Sequence, residues 1–134
     1  MSLFNRATTA NPIDLGNRAR DSLQWGLAAE HYRAALVANP ENGPIWVQYG
    51  HALKETGQHA WAEAAYRRAI IEAPAAADPH LQLGILLRLQ GRKTEAEAAF
   101  LQALMIDPGL TPSAGELSEF GWTMERLEIG RAHV

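Results

Sequence analysis

The 134-residue chain contains no cysteine, and this absence excludes disulfide bonds, thiolate catalysis and thiolate metal ligands. Its net charge is also small, because 12 basic and 15 acidic residues leave a formal charge of −3. This balance gives no electrostatic reason to expect nucleic acid or an anionic membrane as a partner. The most apolar segment, residues 84–91, is too short to span a bilayer, and the first residues lack the apolar run of a signal peptide. We therefore expect a cytoplasmic protein.

Motifs for catalysis and metal binding are missing too. The sequence has no Gly-x-Ser-x-Gly motif, no glycine-rich phosphate loop and no nucleophile beside a base. Five histidines are present, but no two are spaced as i, i+4 ligands on one helix, and no His-Glu-x-x-His motif occurs. We therefore predict no enzymatic activity, no cofactor and no metal site.

What the sequence does contain is an internal repeat with a period of 34 residues. Three glycines, Gly16, Gly50 and Gly84, are separated by this interval. Five further columns of chemically matched residues keep the same register: Ala28, Ala62 and Ala96; Tyr32, Tyr66 and Phe100; Ala35, Ala69 and Ala103; Leu36, Ile70 and Leu104; and Pro40, Pro74 and Pro108. A 34-residue period is typical of repeats built from two helices joined by a turn.

Proline and glycine mark the helix ends within each repeat. In the second repeat, Pro44 suits a first helical turn, Gly57 suits a helix C-terminus, and Pro74 stops the next helix. The columns predict repeats at residues 9–42, 43–76 and 77–110, after a tail at residues 1–8. A further helix at residues 111–127 is predicted to cap the last apolar face, followed by a tail at residues 128–134. Seven helices and no strand are expected.

These columns resemble the tetratricopeptide repeat family. The second repeat carries the family pattern in Trp46, Tyr49, Gly50, Ala62, Tyr66, Ala69 and Pro74, and the third carries it in Leu83, Gly84, Ala96, Phe100, Ala103 and Pro108. The resemblance implies an all-α fold, a right-handed superhelical stack of antiparallel helix pairs (an α-solenoid). It also implies a scaffold that binds a protein or peptide in a concave groove lined by the first helix of each repeat.

The resemblance places candidate ligand contacts on these first helices. Equivalent positions of successive repeats form ladders along these helices. The candidates are an apolar ladder of Ile13, Val47 and Leu81, a mixed ladder of Asn17, His51 and Ile85, the amides Gln48 and Gln82, and a basic ladder of Arg20, Lys54 and Arg88. We expect an apolar floor, amides that contact a peptide backbone, and cations that favour an acidic segment. The alternative is that the basic residues are solvated beside Asp21 and Glu55.

One known ligand of the family is not expected. The clamp with which some tetratricopeptide proteins bind the two carboxylates of chaperone C-termini needs Lys or Arg where this chain has Ile13, Asp78 and Gln82. Asn17 fits the clamp, whereas Gln48 stands where asparagine is expected. We therefore predict that chaperone tails do not bind.

The aromatic residues are expected to pack rather than to bind ligands. Trp25, Trp46 and Trp61 fall at helical packing positions, and we predict that they and Trp122 belong to the core. The repeated glycines and alanines let the two helices of a repeat approach closely. The repeated aromatics, Tyr32, Tyr66 and Phe100, are predicted to fill the space between one repeat and the next.

Two further hypotheses remain. Segments 45–54 and 80–84 are similar to repeats that precede bacterial glycosyltransferase domains, so the alternative function is a non-catalytic N-terminal arm of a larger bacterial enzyme. Small apolar residues on the second helices, such as Ala62, Ala64 and Ala65, permit close contact between copies. Because no long exposed stripe of Leu or Phe is visible, we expect a weak homodimer.

Overall fold

Proline stands in the first turn of four of the described helices, and a glycine with positive φ follows three of them. A computed structural model describes residues 10–122, which form seven helices and no strand. They are α1 (Pro12–Asp21), α2 (Trp25–Ala38), α3 (Gly43–Glu55), α4 (His59–Glu72), α5 (Asp78–Leu89), α6 (Lys93–Ile106) and α7 (Thr111–Glu119). The predicted all-α fold is confirmed.

Side-chain caps begin the first helix of the first two repeats. The Asn11 side-chain oxygen accepts a hydrogen bond from the Ile13 N–H at 2.9 Å, and that of Asn42 accepts one from the Ile45 N–H at 3.2 Å. A proline lies in the first turn of both helices, where its missing N–H would have had no helical partner. Local chemistry therefore sets where these two helices start.

The same tight turn joins the two helices of each pair. A residue with positive φ donates its N–H to the carbonyl of the residue three positions earlier, and the next residue donates to the carbonyl five positions earlier. In the second pair, Gly57 donates to Lys54 and Gln58 donates to Leu53. In the first pair Leu23 occupies this position with φ +59°. The left-handed conformation costs a residue with a Cβ about 1–2 kcal/mol, so the first turn is strained.

The last helix, α7, is shorter than predicted. It ends at Glu119 rather than at residue 127, because Gly121 adopts φ +87° and repeats the turn found within the helix pairs. The Gly121 N–H donates to Ser118, and the Trp122 N–H donates to Leu117. Residues 123–127 of the predicted cap lie outside the described residues, as do the predicted tails at residues 1–8 and 128–134.

Each helix pair is centred on a contact between a glycine and an aromatic ring. The three rings are fully buried and lie on the glycine of their own pair: Tyr32 on Gly16, Tyr66 on Gly50 and Phe100 on Gly84. A Cβ on these glycines would stand 2.5–2.6 Å from the nearest ring carbon, closer than van der Waals contact permits. The sequence prediction placed the rings between repeats, whereas this contact lies inside the pair.

The chain divides into two compact units, Met1–Pro74 and Ala75–Val134. In the first unit α1 packs on α2, α2 on α3, and α3 on α4. In the second unit α5 packs on α6 and α6 on α7. The last of these contacts covers α6: Leu117 is fully buried, and the ring of Phe120 lies 6.3 Å from that of Phe100.

The glycine–aromatic contact makes a stability prediction. Replacing Gly50 with alanine should lower the free energy of unfolding by about 1–3 kcal/mol, because the new methyl group overlaps the Tyr66 ring. The matched control is Gly26→Ala, since Gly26 lies on a helix with no atom within 4 Å of its Cβ position. Urea denaturation of both variants tests this. Equal stability of the two variants would contradict the steric explanation.

The strained first turn makes the opposite kind of prediction. Leu23 is 70% exposed, so Leu23→Gly removes little buried surface while it relieves the left-handed strain. The relieved strain exceeds the entropic cost of ordering a glycine, so we expect the free energy of unfolding to rise by about 0.5–1 kcal/mol. The reverse change at the equivalent site, Gly57→Leu, should be destabilising. Thermal unfolding of both variants provides the measurement, and a less stable Leu23→Gly protein would rule the strain out.

Candidate functional site

Five of the predicted ligand contacts form a polar cluster on α1 and α3. We call it the first-helix face, and its members are Asn17, Arg20, Gln48, His51 and Lys54. Within each helix these residues are three apart, a spacing that brings side chains to the same side. The Arg20 guanidinium donates to the side-chain oxygens of Asn17 and Gln48, both at 3.3 Å, and so links the two helices.

The two amides of this face are held in one orientation. The Asn17 oxygen also accepts from the Tyr32 hydroxyl at 2.7 Å, and burial raises the pKa of Tyr32, so that this hydroxyl keeps its proton. Because arginine and this tyrosine act as donors, the amide oxygens must face them and the NH₂ groups must face away. Neither NH₂ group forms a hydrogen bond within residues 10–122. The NH₂ groups of Asn17 and Gln48 are therefore available as hydrogen-bond donors.

Each basic residue of the predicted ladder is close to an acidic residue: Arg20 is 3.0 Å from Asp21, Lys54 is 3.7 Å from Glu55, and Arg88 is 2.7 Å from Glu116. Asp21 and Glu55 are the two acidic residues that the sequence analysis named when it gave solvated basic residues as the alternative to ligand contacts. Partly exposed pairs of this kind contribute little to stability. Any carboxylate that approached one of these cations would have to share it with an acid that is already in place.

The other predicted contacts are on α1, α3 and α5. Val47 and Leu81 are each only 7% exposed, so these two members of the predicted apolar floor mainly pack within the protein. Ile13 on α1 and Ile85 on α5 are half-buried. On α5, the Gln82 side chain donates to Asp78 at 3.2 Å. Leu81, Gln82, Ile85 and Arg88 all belong to the second unit.

His51 joins the first-helix face to an aromatic ring. Its imidazole meets the Trp25 ring edge to face, with 5.0 Å between centroids. Burial lowers the pKa of His51, Lys54 and Arg20 lower it further, and Glu55 opposes them. The imidazole is therefore neutral near pH 7 and offers one donor and one acceptor nitrogen.

The prediction that the tryptophans are core residues is wrong for Trp61, whose side chain is 68% exposed on α4. Trp25, Trp46 and Trp122 are half-buried. Trp46 and Trp61 line an open cavity of about 530 Å³ formed by α2, α3 and α4, which the sequence interpretation did not identify.

One residue that lines this cavity, Val37, belongs to a repeated column of the sequence. Val37, Ile71 and Met105 form another apolar column with the 34-residue period, and their side chains are 78%, 70% and 38% exposed. Periodicity indicates which residues match, but it does not distinguish a buried column from an exposed one. Only the packing of the helices makes that distinction.

The described part of the chain gives two further findings. Within residues 10–122, no group of three or more His, Cys, Asp and Glu side chains is arranged to hold a metal ion. Across the same residues, none of the helices combines the length and apolar character that crossing a membrane requires.

The sequence matches the family described as tetratricopeptide repeat over residues 13–77 and again over residues 47–111. No curated protein matches it. Similar solved structures include MamA, with 22% identity, a TM-score of 0.73, and coverage of 76% of this chain and 60% of that chain. The TPR domain of Arabidopsis OM64 has 24% identity, a TM-score of 0.75 and coverage of 92% and 93%. The second TPR domain of human RPAP3, in complex with the HSP70 peptide SGPTIEEVD, has 21% identity, a TM-score of 0.78 and coverage of 84% and 94%.

The lowered pKa of His51 predicts a pH dependence of stability. Because the folded-state pKa lies below the unfolded value of 6.5, the unfolded chain binds more protons as the pH falls through 6.5. The stabilising contribution of neutral His51 is therefore present above that pH and is lost below it. Wild type should lose more stability than His51→Gln between about pH 8 and about pH 5.5 in urea denaturation. His80, whose pKa burial also lowers, is common to both proteins. An equal loss would contradict the prediction.

Proposed function

The chain belongs to the tetratricopeptide repeat family, and from this premise we propose that it is a protein-interaction scaffold. It binds a peptide or a helical segment of another protein, and Asn17, Arg20, Gln48, His51 and Lys54 of the first-helix face contact that segment. The RPAP3 domain, which has the same fold, was solved with a bound peptide. That precedent supports the class of ligand, and the residues of this chain support the location.

The observation that carries the proposal is the orientation of the two amides. The Asn17 and Gln48 oxygens are occupied by Arg20, and their NH₂ groups are left to donate. An extended peptide has backbone carbonyls that accept such bonds, whatever its side chains are. Neutral His51 adds a third polar group beside them. The face is therefore suited to a peptide backbone, and its charged residues adjust the preference for particular sequences.

We also propose that the bound segment is acidic. Arg20 and Lys54 lie on the same face, and a ligand carboxylate can approach either cation alongside Asp21 or Glu55. Because both cations are already paired, the gain in affinity is modest and depends on salt. Leu81, Gln82, Ile85 and Arg88 on α5 are proposed to contact the same partner.

The HSP70 peptide bound by RPAP3 is not the ligand we propose. Such a peptide ends in an aspartate that carries two carboxylates, and the clamp positions of this chain hold Ile13, Asp78 and Gln82 instead of cations. Asp78 would repel a carboxylate, and an unpaired ligand charge is costly to desolvate. The proposed partner is therefore an acidic segment that binds along its backbone rather than by its terminus.

Two finer hypotheses accompany this proposal. The alternative function is that of a non-catalytic N-terminal arm of a larger bacterial enzyme, such as a glycosyltransferase. In such an enzyme the first-helix face would recruit a substrate or a partner. Ala62 and Ala65, which the sequence argument named for contact between copies, are buried, so the weak homodimer remains a prediction that rests instead on the exposed Val37 and Ile71 of the second helices. Neither hypothesis changes the role of the first-helix face.

The proposal is tested by introducing a photo-crosslinking amino acid at His51 and, as the control, at Glu30, which is exposed on α2. Partners crosslinked in cells from the first site only are purified and titrated against wild type and Gln48→Ala. We expect the variant to bind at least about fivefold more weakly, because a hydrogen-bond donor to the peptide backbone is lost. Arg20→Glu with Lys54→Glu should weaken an acidic partner further at low salt. Equal affinity of wild type and all variants would overturn the proposal.

The clamp interpretation has its own control. The peptide SGPTIEEVD should not bind this chain at concentrations that saturate the RPAP3 domain, as measured by calorimetry. Saturable binding to this chain would show that cations other than those of the clamp hold the chaperone tail.

A further inference from the structure

The cavity between α2, α3 and α4 lies outside the predicted groove and has the features of a binding site. We call it the second-helix pocket, and the residues that matter for its chemistry are Arg33, Val37, Trp46, Tyr49, Trp61 and Arg68. Its volume of about 530 Å³ falls within the range of sites that accept a large side chain or a short peptide segment. All of these residues belong to the first unit.

The aromatic floor of the pocket is held in place by contacts within the protein. The Trp46 indole N–H donates to the Pro40 carbonyl at 2.8 Å, which fixes the ring at the end of α2. The Arg68 guanidinium stacks over the same ring, 5.2 Å from its centroid, and reaches the Pro40 carbonyl at 3.4 Å. A ring fixed in this way loses little side-chain entropy when a ligand packs against it.

The rim of the pocket exposes apolar surface. Val37 on α2 is 78% exposed, and Trp61 on α4 is 68% exposed. Isolated exposed apolar residues are ordinary, but here two of them flank one cavity whose floor is aromatic. Tryptophan is also among the residues that most often dominate the binding energy of protein interfaces. An apolar side chain of a partner would therefore be covered on several sides.

The charged residues of the pocket lining indicate which residues of the partner flank that apolar side chain. The lining contains two arginines and no acidic residue. Arg68 is partly neutralised by Glu72 at 3.8 Å, whereas Arg33 forms no ion pair or hydrogen bond within residues 10–122. A cationic rim around an apolar cavity is complementary to a segment with carboxylates on either side of an apolar residue.

We propose that the second-helix pocket binds an acidic peptide segment of a partner protein, which inserts one apolar side chain between Trp46 and Trp61 and pairs its carboxylates with Arg33 and Arg68. This site is separate from the first-helix face. Both use α3, because Gln48 and His51 project from one side of that helix while Trp46 and Tyr49 line the pocket. The scaffold can therefore hold two segments, one on each side of α3.

The test uses a defined probe, the N-acetylated and C-amidated hexapeptide EDLFDE, titrated into the ¹⁵N-labelled chain. The readout is the chemical shift of the Trp61 indole N–H, which reports on the rim of the pocket. We expect saturable binding with a Kd of about 1 mM or tighter. Two matched peptides should bind at least about tenfold more weakly: EDGGDE, which lacks the apolar anchor, and KKLFKK, which reverses the charge.

Variants of the chain locate the bound peptide. Trp61→Ala and Arg33→Gln should each weaken the binding of EDLFDE by about threefold or more. Binding to Trp61→Ala is measured by calorimetry, because this variant lacks the indole reporter. The matched control is Arg67→Gln, since Arg67 lies exposed on α4 but does not line the pocket. The first-helix face is also proposed to bind an acidic segment, so the side-chain NH₂ signal of Gln48 is followed in the same titration and reports on that face separately from the pocket.

Several outcomes would overturn the proposal. They are the absence of saturable EDLFDE binding at about 5 mM, equal binding of KKLFKK, or unchanged affinity in both pocket variants. A further one is a shift of the Gln48 signal without any shift of the Trp61 signal, which would move the peptide to the first-helix face. Shifts of the Trp61 signal that depend on protein concentration without peptide would identify a second copy of the chain as the occupant.

Discussion

The contact between a bare glycine and a buried aromatic ring is the constraint on which this structure depends. In each helix pair the ring lies where a Cβ would otherwise stand, so only glycine allows the two helices to approach to this distance. In the first pair the same ring has a second role. The Tyr32 ring packs on Gly16, while its hydroxyl holds the oxygen of Asn17 at 2.7 Å. The side chain that closes the pair thus also orients an amide of the candidate site. Phe100 lacks the hydroxyl and offers no such link in the third pair.

The central helix α3 shows how one segment can supply two surfaces. Successive side chains on a helix are rotated by about 100°, so neighbours in sequence point in different directions. Gln48 and His51 belong to the polar face, Trp46 and Tyr49 belong to the pocket, and Gly50 packs against Tyr66. The buried side of α3 cannot vary without loss of packing, whereas both outer surfaces can change with the partner.

The fold could be predicted from the sequence because each repeat places the same requirements on the backbone at the same positions. Close approach requires Gly16, Gly50 and Gly84, and helix ends require proline or glycine, so these requirements appear as columns. The first turn shows the limit of such reasoning. Leu23 adopts the conformation that glycine has in the other turns, because the surrounding hydrogen bonds impose it whatever the residue. The early end of α7 was missed because Gly121 lies outside the repeat register.

The candidate site was predictable in part. The family resemblance and the 34-residue columns named Asn17, Arg20, Gln48, His51 and Lys54 among the candidate contacts, but they could not show which side chains were already engaged. The ion pair between Arg88 and Glu116 joins different helices and follows from packing alone. Trp61 was assigned to the core because it falls at a helical packing position. Its exposure depends on how α2 and α4 are placed around α3, which no local pattern contains.

The pairing of helices that follow one another in the chain has a consequence for how the protein folds. Within each unit the main contacts join α1 to α2, α2 to α3 and α3 to α4, or α5 to α6 and α6 to α7. Such a topology has a low contact order, and domains of this class fold in microseconds to milliseconds. Only short loops must close before a ring meets its glycine, so the entropic cost of each closure is small. A ring can therefore meet its glycine early, and the helix pair becomes stable when a neighbouring helix covers its apolar face.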